Sequence, residues 1–254
     1  MRKHIVRRAL VISLAAGLLA TAAAPAAIAQ DEPQDTTRID RFDDRIDTVA
    51  VAERIKDAAL AAIDRRLETL DRLTAKVEAS DHVTREHAAA LLADYRDARA
   101  GLEALAGEIA AETDPRVLLE LAASIAADFR IYLIVVPKSV EVVVSDTIVA
   151  VARRLEEAGA EVQAIIDGAG HDRDVAEAQR LLNAAMADAA RAAPVADPVA
   201  ESVIDLAAPD WPDPADRLLS QGRSDLRTAG DTLRSGIEHL RAAIRALRGD
   251  GATG

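Results

Sequence analysis

The sequence predicts an all-α fold, an elongated antiparallel bundle of about six helices with coiled-coil-like heptad seams. Three observations predict it. Half of the residues are hydrophobic but only 2% are aromatic, so the apolar set is mostly Ala, Leu, Val and Ile. That set suits close helix packing better than a β-sandwich. Apolar residues recur at alternating spacings of three and four, the period of a helical seam. Helix start and stop residues punctuate the same windows.

The elements follow in order. Arg2, Lys3, Arg7 and Arg8 form a positive start, and an apolar run from Ala9 to Ala20 follows. Ala27-Ile28-Ala29 then offers small residues where a signal peptidase reads. The run is shorter than the roughly 20 residues of a membrane span, and Pro25 closes it. Residues 1–29 therefore read as a secretory signal peptide cleaved after Ala29, in preference to an uncleaved anchor. Residues 30–37, QDEPQDTT, are polar and read as a disordered linker.

A first helix is expected from Arg38 to Ala79, with Ile39, Phe42, Ile46, Val49, Leu60, Ile63, Leu67, Leu70 and Val77 on its apolar face. Thr84 is the expected N-cap of a second helix carrying Ala88, Leu91, Tyr95, Ala98, Leu102, Leu105 and Ile109. Asp114-Pro115, a cap followed by a first-turn proline, opens a third with Val117, Leu118, Leu121, Ile125 and Phe129. Residues 131–144 are ambiguous. Val and Ile runs around Pro137-Lys138-Ser139 suit a β-hairpin, whereas Val144, Ile148, Val151, Leu155, Val162 and Ile165 continue a helical face. A lone hairpin is marginal in a helical chain, so helix with a break at Pro137 is the expectation. That helix should end at DGAG, where Gly168 or Gly170 caps it. Asp174 and Glu177 form a capping-box pattern for a fifth helix with Leu181, Leu182, Ala185, Met186 and Ala189, and Pro194 and Pro198 should kink or interrupt it. Residues 208–215, APDWPDPA, are a proline-rich turn holding the only Trp. A last helix runs from Ala215 to Arg248, and 249–254 is a disordered tail. The matching periodicities argue for one elongated domain over 38–248. The alternative is a division near Pro137 or DGAGHD.

Phe129-Arg130-Ile131-Tyr132-Leu133-Ile134-Val135-Val136-Pro137-Lys138 resembles a (Y/F)-R-V-Y-x-L-x-x-P-K signature of uncharacterised secreted helical proteins from high-G+C Gram-positive and related bacteria. Ala208-Pro209-Asp210-Trp211 is similar to a TPADW/Y turn that precedes their last Leu-Arg-rich helix. The resemblance implies a secreted all-helical protein and assigns it no activity or site residues.

The full chain carries 31 Lys/Arg and 43 Asp/Glu, a net charge of −12. Residues 1–29 hold four Lys/Arg and no Asp/Glu, so removing them leaves 27 against 43, or −16. Such a chain repels nucleic acid and anionic lipid at long range. It has no cysteine, hence no lipid-anchor thiol, thiolate nucleophile or disulfide. Gly-x-Ser-x-Gly, phosphate-cradling glycine loops and His-Glu-x-x-His are all missing. Ser224, in GRSDL, reads as a structural or solvent-facing serine. His82 and His87, with Asp81 and Glu86 beside them, are spaced by five residues across a helix start and do not share a face, so a metal site is disfavoured. Asp167, Asp172, Asp174 and Glu177, and separately Asp210, Asp213 and Asp216, lack EF-hand spacing, which leaves calcium as an open alternative. A paired-carboxylate glycosidase needs acids across a cleft that a thin bundle does not imply. Trp211, Phe129 and Tyr132 read as packing residues. No catalytic, cofactor-binding or metal residue is assigned and no cofactor is expected.

The C-terminal helix carries a Leu-Arg row, at Leu226-Arg227, Leu233-Arg234, Leu240-Arg241 and Leu247-Arg248, and a small-residue row at Gly222, Ala229, Gly236 and Ala243. With the leucines at heptad position d, Gly230, Ile237 and Ile244 fall at a, the arginines at e and the small residues at g. Both rows should flank the seam. The arginines would pair with acidic neighbouring helices, a reading that displaces a DNA-binding stripe. The functional expectation is a secreted, non-enzymatic helical protein that works through protein–protein contacts or self-association at or near the cell envelope. A carrier of a lipid or small apolar ligand held between helices is the alternative, and a divergent hydrolase ranks below both. Neither nucleic acid nor, beyond the signal peptide, membrane is an expected partner.

Overall fold

The computed structural model describes residues 48–169 and 175–248, and all regular structure among them is helical. The helices are α1 Thr48–Glu78, α2 Arg85–Ala111, α3 Pro115–Ala127, α4 Val136–Asp167, α5 Ala176–Val203 and α6 Ala215–Arg248. A π-helical turn, Ile131–Val135, leads into α4, and a 3₁₀ turn, Ala208–Asp210, precedes α6. The expected signal peptide, linker and tail, the first ten residues expected in the first helix, and the expected cap Asp174 with His171 and Asp172 lie outside the described residues.

Local chemistry accounts for the boundaries. Thr84 caps α2 by accepting from the His87 N–H at 3.2 Å. Asp114 caps α3 by accepting from the Arg116 N–H at 2.8 Å, with Pro115 in the first turn where no donor is needed. Between them, Glu112 accepts the N–H groups of Thr113 and Asp114 at 2.6 and 2.8 Å. These backbone bonds to Asp114 and Thr113 hold its carboxyl below the usual range.

The ambiguous stretch is helical. The break takes the form of a change in hydrogen-bonding register. The Val136 N–H reaches back five residues to Ile131 O, and the α pattern begins at Val136. Pro137 has no N–H, so an unbroken α ladder could not run through this turn. A turn, Asp128–Phe129, and then Arg130 precede it. There Arg130 takes φ 41°, the one non-glycine residue in the left-handed region among the described residues.

Pro194 and Pro198 do not interrupt α5, which runs through both. The buried face Ala185, Ala189, Ala192, Ala196 and Val199 is continuous past them. Packing of that face outweighs the two missing backbone bonds. Ser145 Oγ also donates to Ala196 O at 2.8 Å in this region.

The chain forms two compact units. The first holds the described chain up to Val143 together with Val203–Leu219. The second holds Val144–Ser202 and the chain from Ser220 onward. In the first, α1, α2 and α3 pack around Ile63, Leu70, Leu91, Tyr95, Leu102, Ile109, Leu118 and Ile125, joined by Ile131 and Ile134. In the second, α4, α5 and α6 share a core of Ile148, Leu155, Leu182, Leu233 and Leu240 with a run of buried alanines. Each buried Leu or Ile side chain contributes roughly 1.5–3 kcal/mol by leaving water, and each alanine less.

Candidate functional site

The turn at residues 129–139 of the first unit is held by polar contacts to α2 and to residues 206–208. Phe129 lies over Gly101, where a Cβ would come within 2.5 Å of the ring. Arg130 Nε donates to Ala208 O at 3.1 Å. Lys138 is buried, and its ammonium donates to Leu206 O at 2.8 Å and pairs with Asp94. Two short motifs some 70 residues apart therefore meet: both cationic groups of 129–138 grip the carbonyls of 206–208, the entrance to the APDW turn. Tyr95 OH donates to Ser139 Oγ at 2.6 Å, and Ser139 Oγ donates to Val135 O. The segment is thus tied to α2 as well.

Burial pushes the Tyr95 hydroxyl up to about 12, with the Ser139 bond opposing and the Asp94 charge adding. For an acid whose folded pKa is raised, stability is complete below the unfolded value near 10 and is lost as pH rises toward 12. Wild type should therefore lose stability steeply between about pH 10 and 12. Tyr95→Phe should lose about 1 kcal/mol at pH 7 for the missing hydrogen bond and should flatten that alkaline slope. Urea titrations at pH 7 and pH 11 check both.

Two apolar side chains of this anchored turn face outward. Leu133 is 43% exposed and Tyr132 39%, while Ile131 and Ile134 on either side are almost fully buried. The Tyr132 ring lies against Arg66, 5.3 Å from guanidinium carbon to centroid, and its hydroxyl is 3.4 Å from Arg65 O. Tyr132 was expected in the core. The π turn changes the helical phase and moves it to the rim.

The second unit contains a buried carboxylate the sequence did not single out. Asp188 on α5 accepts from Arg191, from His239 Nδ1 at 2.9 Å and from Ser235. Burial raises its pKa, but the bonds from Arg191, His239 and Ser235 outweigh burial and hold the carboxyl below its ordinary value. The Nδ1 contact orients the imidazole and joins α6 to α5. Its sequence signal was Asp188 falling on the apolar face between Ala185 and Ala189.

The residues weighed in the sequence are placed as follows. His87 is buried at the start of α2 and His82 half-buried in the preceding turn. Asp210 accepts from the Ala207 N–H at 2.7 Å, and Asp213 pairs loosely with Arg217 at 3.9 Å. Trp211 is half-buried and Ser224 exposed. Among the described residues no group of three or more His, Cys, Asp or Glu is placed to hold a metal ion, and no helix is long and apolar enough to cross a membrane.

The Leu-Arg row departs from expectation. The small residues Gly222, Ala229, Gly236 and Ala243 are buried alongside the leucines, and all four arginines are exposed. Arg234 pairs with Asp231 of its own helix at 2.6 Å, and Arg227 and Arg241 have no ion-pair partner among the described residues. Interhelical pairing by the row is therefore not what holds α6. Changing Arg227, Arg234 and Arg241 together to Gln should alter stability by less than about 1 kcal/mol, measured by thermal melting at low and high salt.

No family model matches the chain, and no curated protein or solved structure shows significant similarity to it.

Proposed function

We propose that the protein is exported and acts without enzymatic chemistry, by presenting the Tyr132–Leu133 rim to a protein partner at or near the cell envelope. The observation that carries this reading is the contrast within one turn. Its cationic groups are committed to internal acceptors, yet two large apolar side chains remain partly exposed to water. An apolar pair presented from a backbone turn that is tied down on both sides loses less conformational entropy on binding than one on a free loop, which suits an interface anchor. Export is supported by the basic, apolar and small-residue succession of residues 1–29 and by the resemblance of the 129–138 and 208–211 motifs to those of secreted proteins. N-terminal sequencing of protein from the culture medium should begin at Gln30.

Leu133→Glu should leave stability within about 0.5 kcal/mol, because the side chain already faces solvent. The same change should remove a partner that co-purifies with wild type from envelope extracts. Retention of that partner by a folded Leu133→Glu protein would refute the assignment.

A further inference from the structure

Two charged rows of opposite sign, one in each unit, share a period. On α1, Asp57, Asp64, Asp71 and Glu78 recur every seven residues, and all four are exposed. On α6, Arg227, Arg234, Arg241 and Arg248 do the same. Residues seven apart share one edge of a helix, with about 20° of drift per repeat. Successive Cα atoms of either row are thus about 10.5 Å apart, and each row spans about 32 Å. No other described helix carries more than two acids, or more than two bases, at this spacing.

Most of this charge is uncommitted. Of the acidic row, only Asp71 makes an ion pair among the described residues, with Arg99 of α2, and its side chain is still 68% exposed. Of the basic row, only Arg234 does, with Asp231 of its own helix, and its side chain is 54% exposed. Glu53 and Glu68 flank the acidic row, with Arg54 the one base beside it on that edge. Arg223 and Arg245 flank the basic row, against Asp231 and Glu238. An arginine edge on a chain of net charge −12 attracts an acidic surface. The chain itself carries one that matches in number, length and period. Opposite charges along the edges of two helices set partner choice and register where helices run side by side. We infer that the α6 edge of one copy of this chain docks on the α1 edge of a second copy. Every copy carries one row of each sign, so the two sides of the contact are balanced in the assembly. Solvent-exposed ion pairs are individually weak, so the association is weak and sensitive to salt. It is independent of the Leu133 partner reading, since position 133 lies on neither helix.

Sedimentation velocity on the purified chain tests it. Wild type should associate reversibly at about 20 mM salt, and its association constant should fall at least about tenfold by about 300 mM. Arg227→Glu, Arg234→Glu and Arg241→Glu together put acids on both edges, and that triple variant should stay monomeric. Asp57→Lys, Asp64→Lys and Glu78→Lys together put bases on both edges, with the same result; Asp71 is spared because it holds Arg99. All six positions are exposed, so both variants should keep the helical signal and melting temperature of dilute wild type. Mixed in equal amounts, the two variants should associate as wild type does, because each presents the complement of the other's altered edge. Leu133→Glu should associate unchanged. If either triple variant fails to fold, Arg241→Gln and Asp64→Asn carry the test, each lowering the association constant about two- to threefold at low salt. The inference is overturned if wild type is monomeric at low salt, if its association ignores salt, if a folded triple variant associates alone as wild type does, or if the mixture stays monomeric. Monomeric wild type that binds polyglutamate or duplex DNA would also overturn it, by placing another polyanion on α6.

Discussion

Asp94→Ala will destabilise the protein by about 3 kcal/mol, although Asp94 itself is largely accessible to water. The cost arises at its partner. The Lys138 side chain is 4% exposed, while that of Asp94 is 42% exposed. Lys138 reaches Asp94 from the first turn of α4 and shares its ammonium with Leu206 O. Removing Asp94 leaves a buried ammonium on the Leu206 carbonyl without its counter-charge, and an uncompensated buried charge costs more than the pair contributed. Lys138→Met distinguishes this account from simple loss of contact. It removes the charge and keeps most of the volume, so it should cost about 1 kcal/mol, less than the truncation of the exposed partner. Denaturant unfolding of the two variants gives the comparison. Equal losses would mean that packing, and not charge burial, holds the signature turn.

Gly236→Val will cost about 3 kcal/mol, by overpacking one point in the second unit. A Cβ at Gly236 would meet Asp188 Cβ at 2.9 Å, Leu155 Cδ2 at 3.0 Å and Ala185 O at 3.3 Å, so neighbours on both α4 and α5 must give. Two of those atoms belong to backbone or to the root of a side chain, which cannot swing aside. Valine adds branches to the same gap and disturbs Asp188, whose carboxylate holds His239. Gly230 on the same helix is the control, because nothing lies within 4 Å of its Cβ position. Gly230→Ala should stabilise by up to about 1 kcal/mol through helix propensity alone. A pair of melting curves with opposite shifts would establish that the glycines of α6 serve different purposes.

Asp94–Lys138 and Gly236 differ in how far the sequence reveals them. The helical class and several boundaries were legible because they depend on nearby residues. Thr84 and Asp114-Pro115 cap what they were expected to cap, and α6 spans Ala215–Arg248. Tertiary partners decided the rest. The Val/Ile run before and after Pro137 fits strand or helix by local preference, and in its helical form it meets polar groups of α2 that lie 44 residues away. Pro194 and Pro198 are helix breakers locally but lie within a helix whose alanine face is buried. The heptad reading located the leucines of α6 correctly, yet placed the glycine and alanine row beside the packed face. Period alone tells that a stripe exists; its width depends on how many neighbours the helix meets. Here the stripe widens toward the small residues and leaves the arginines outside. Buried charges such as Lys138 and Asp188 gave only a weak signal, a polar residue in an apolar register, and their partners could not be read from spacing.

Display of Leu133 to a partner is the central proposal. A photo-crosslinking residue placed at position 133 of the full chain tests it directly, with the same residue at position 153 as control, since Arg153 is also well exposed. Irradiation during growth should give one discrete protein adduct from position 133 and none from position 153. No adduct at 133, or the same set of adducts from both positions, would contradict the proposed contact surface.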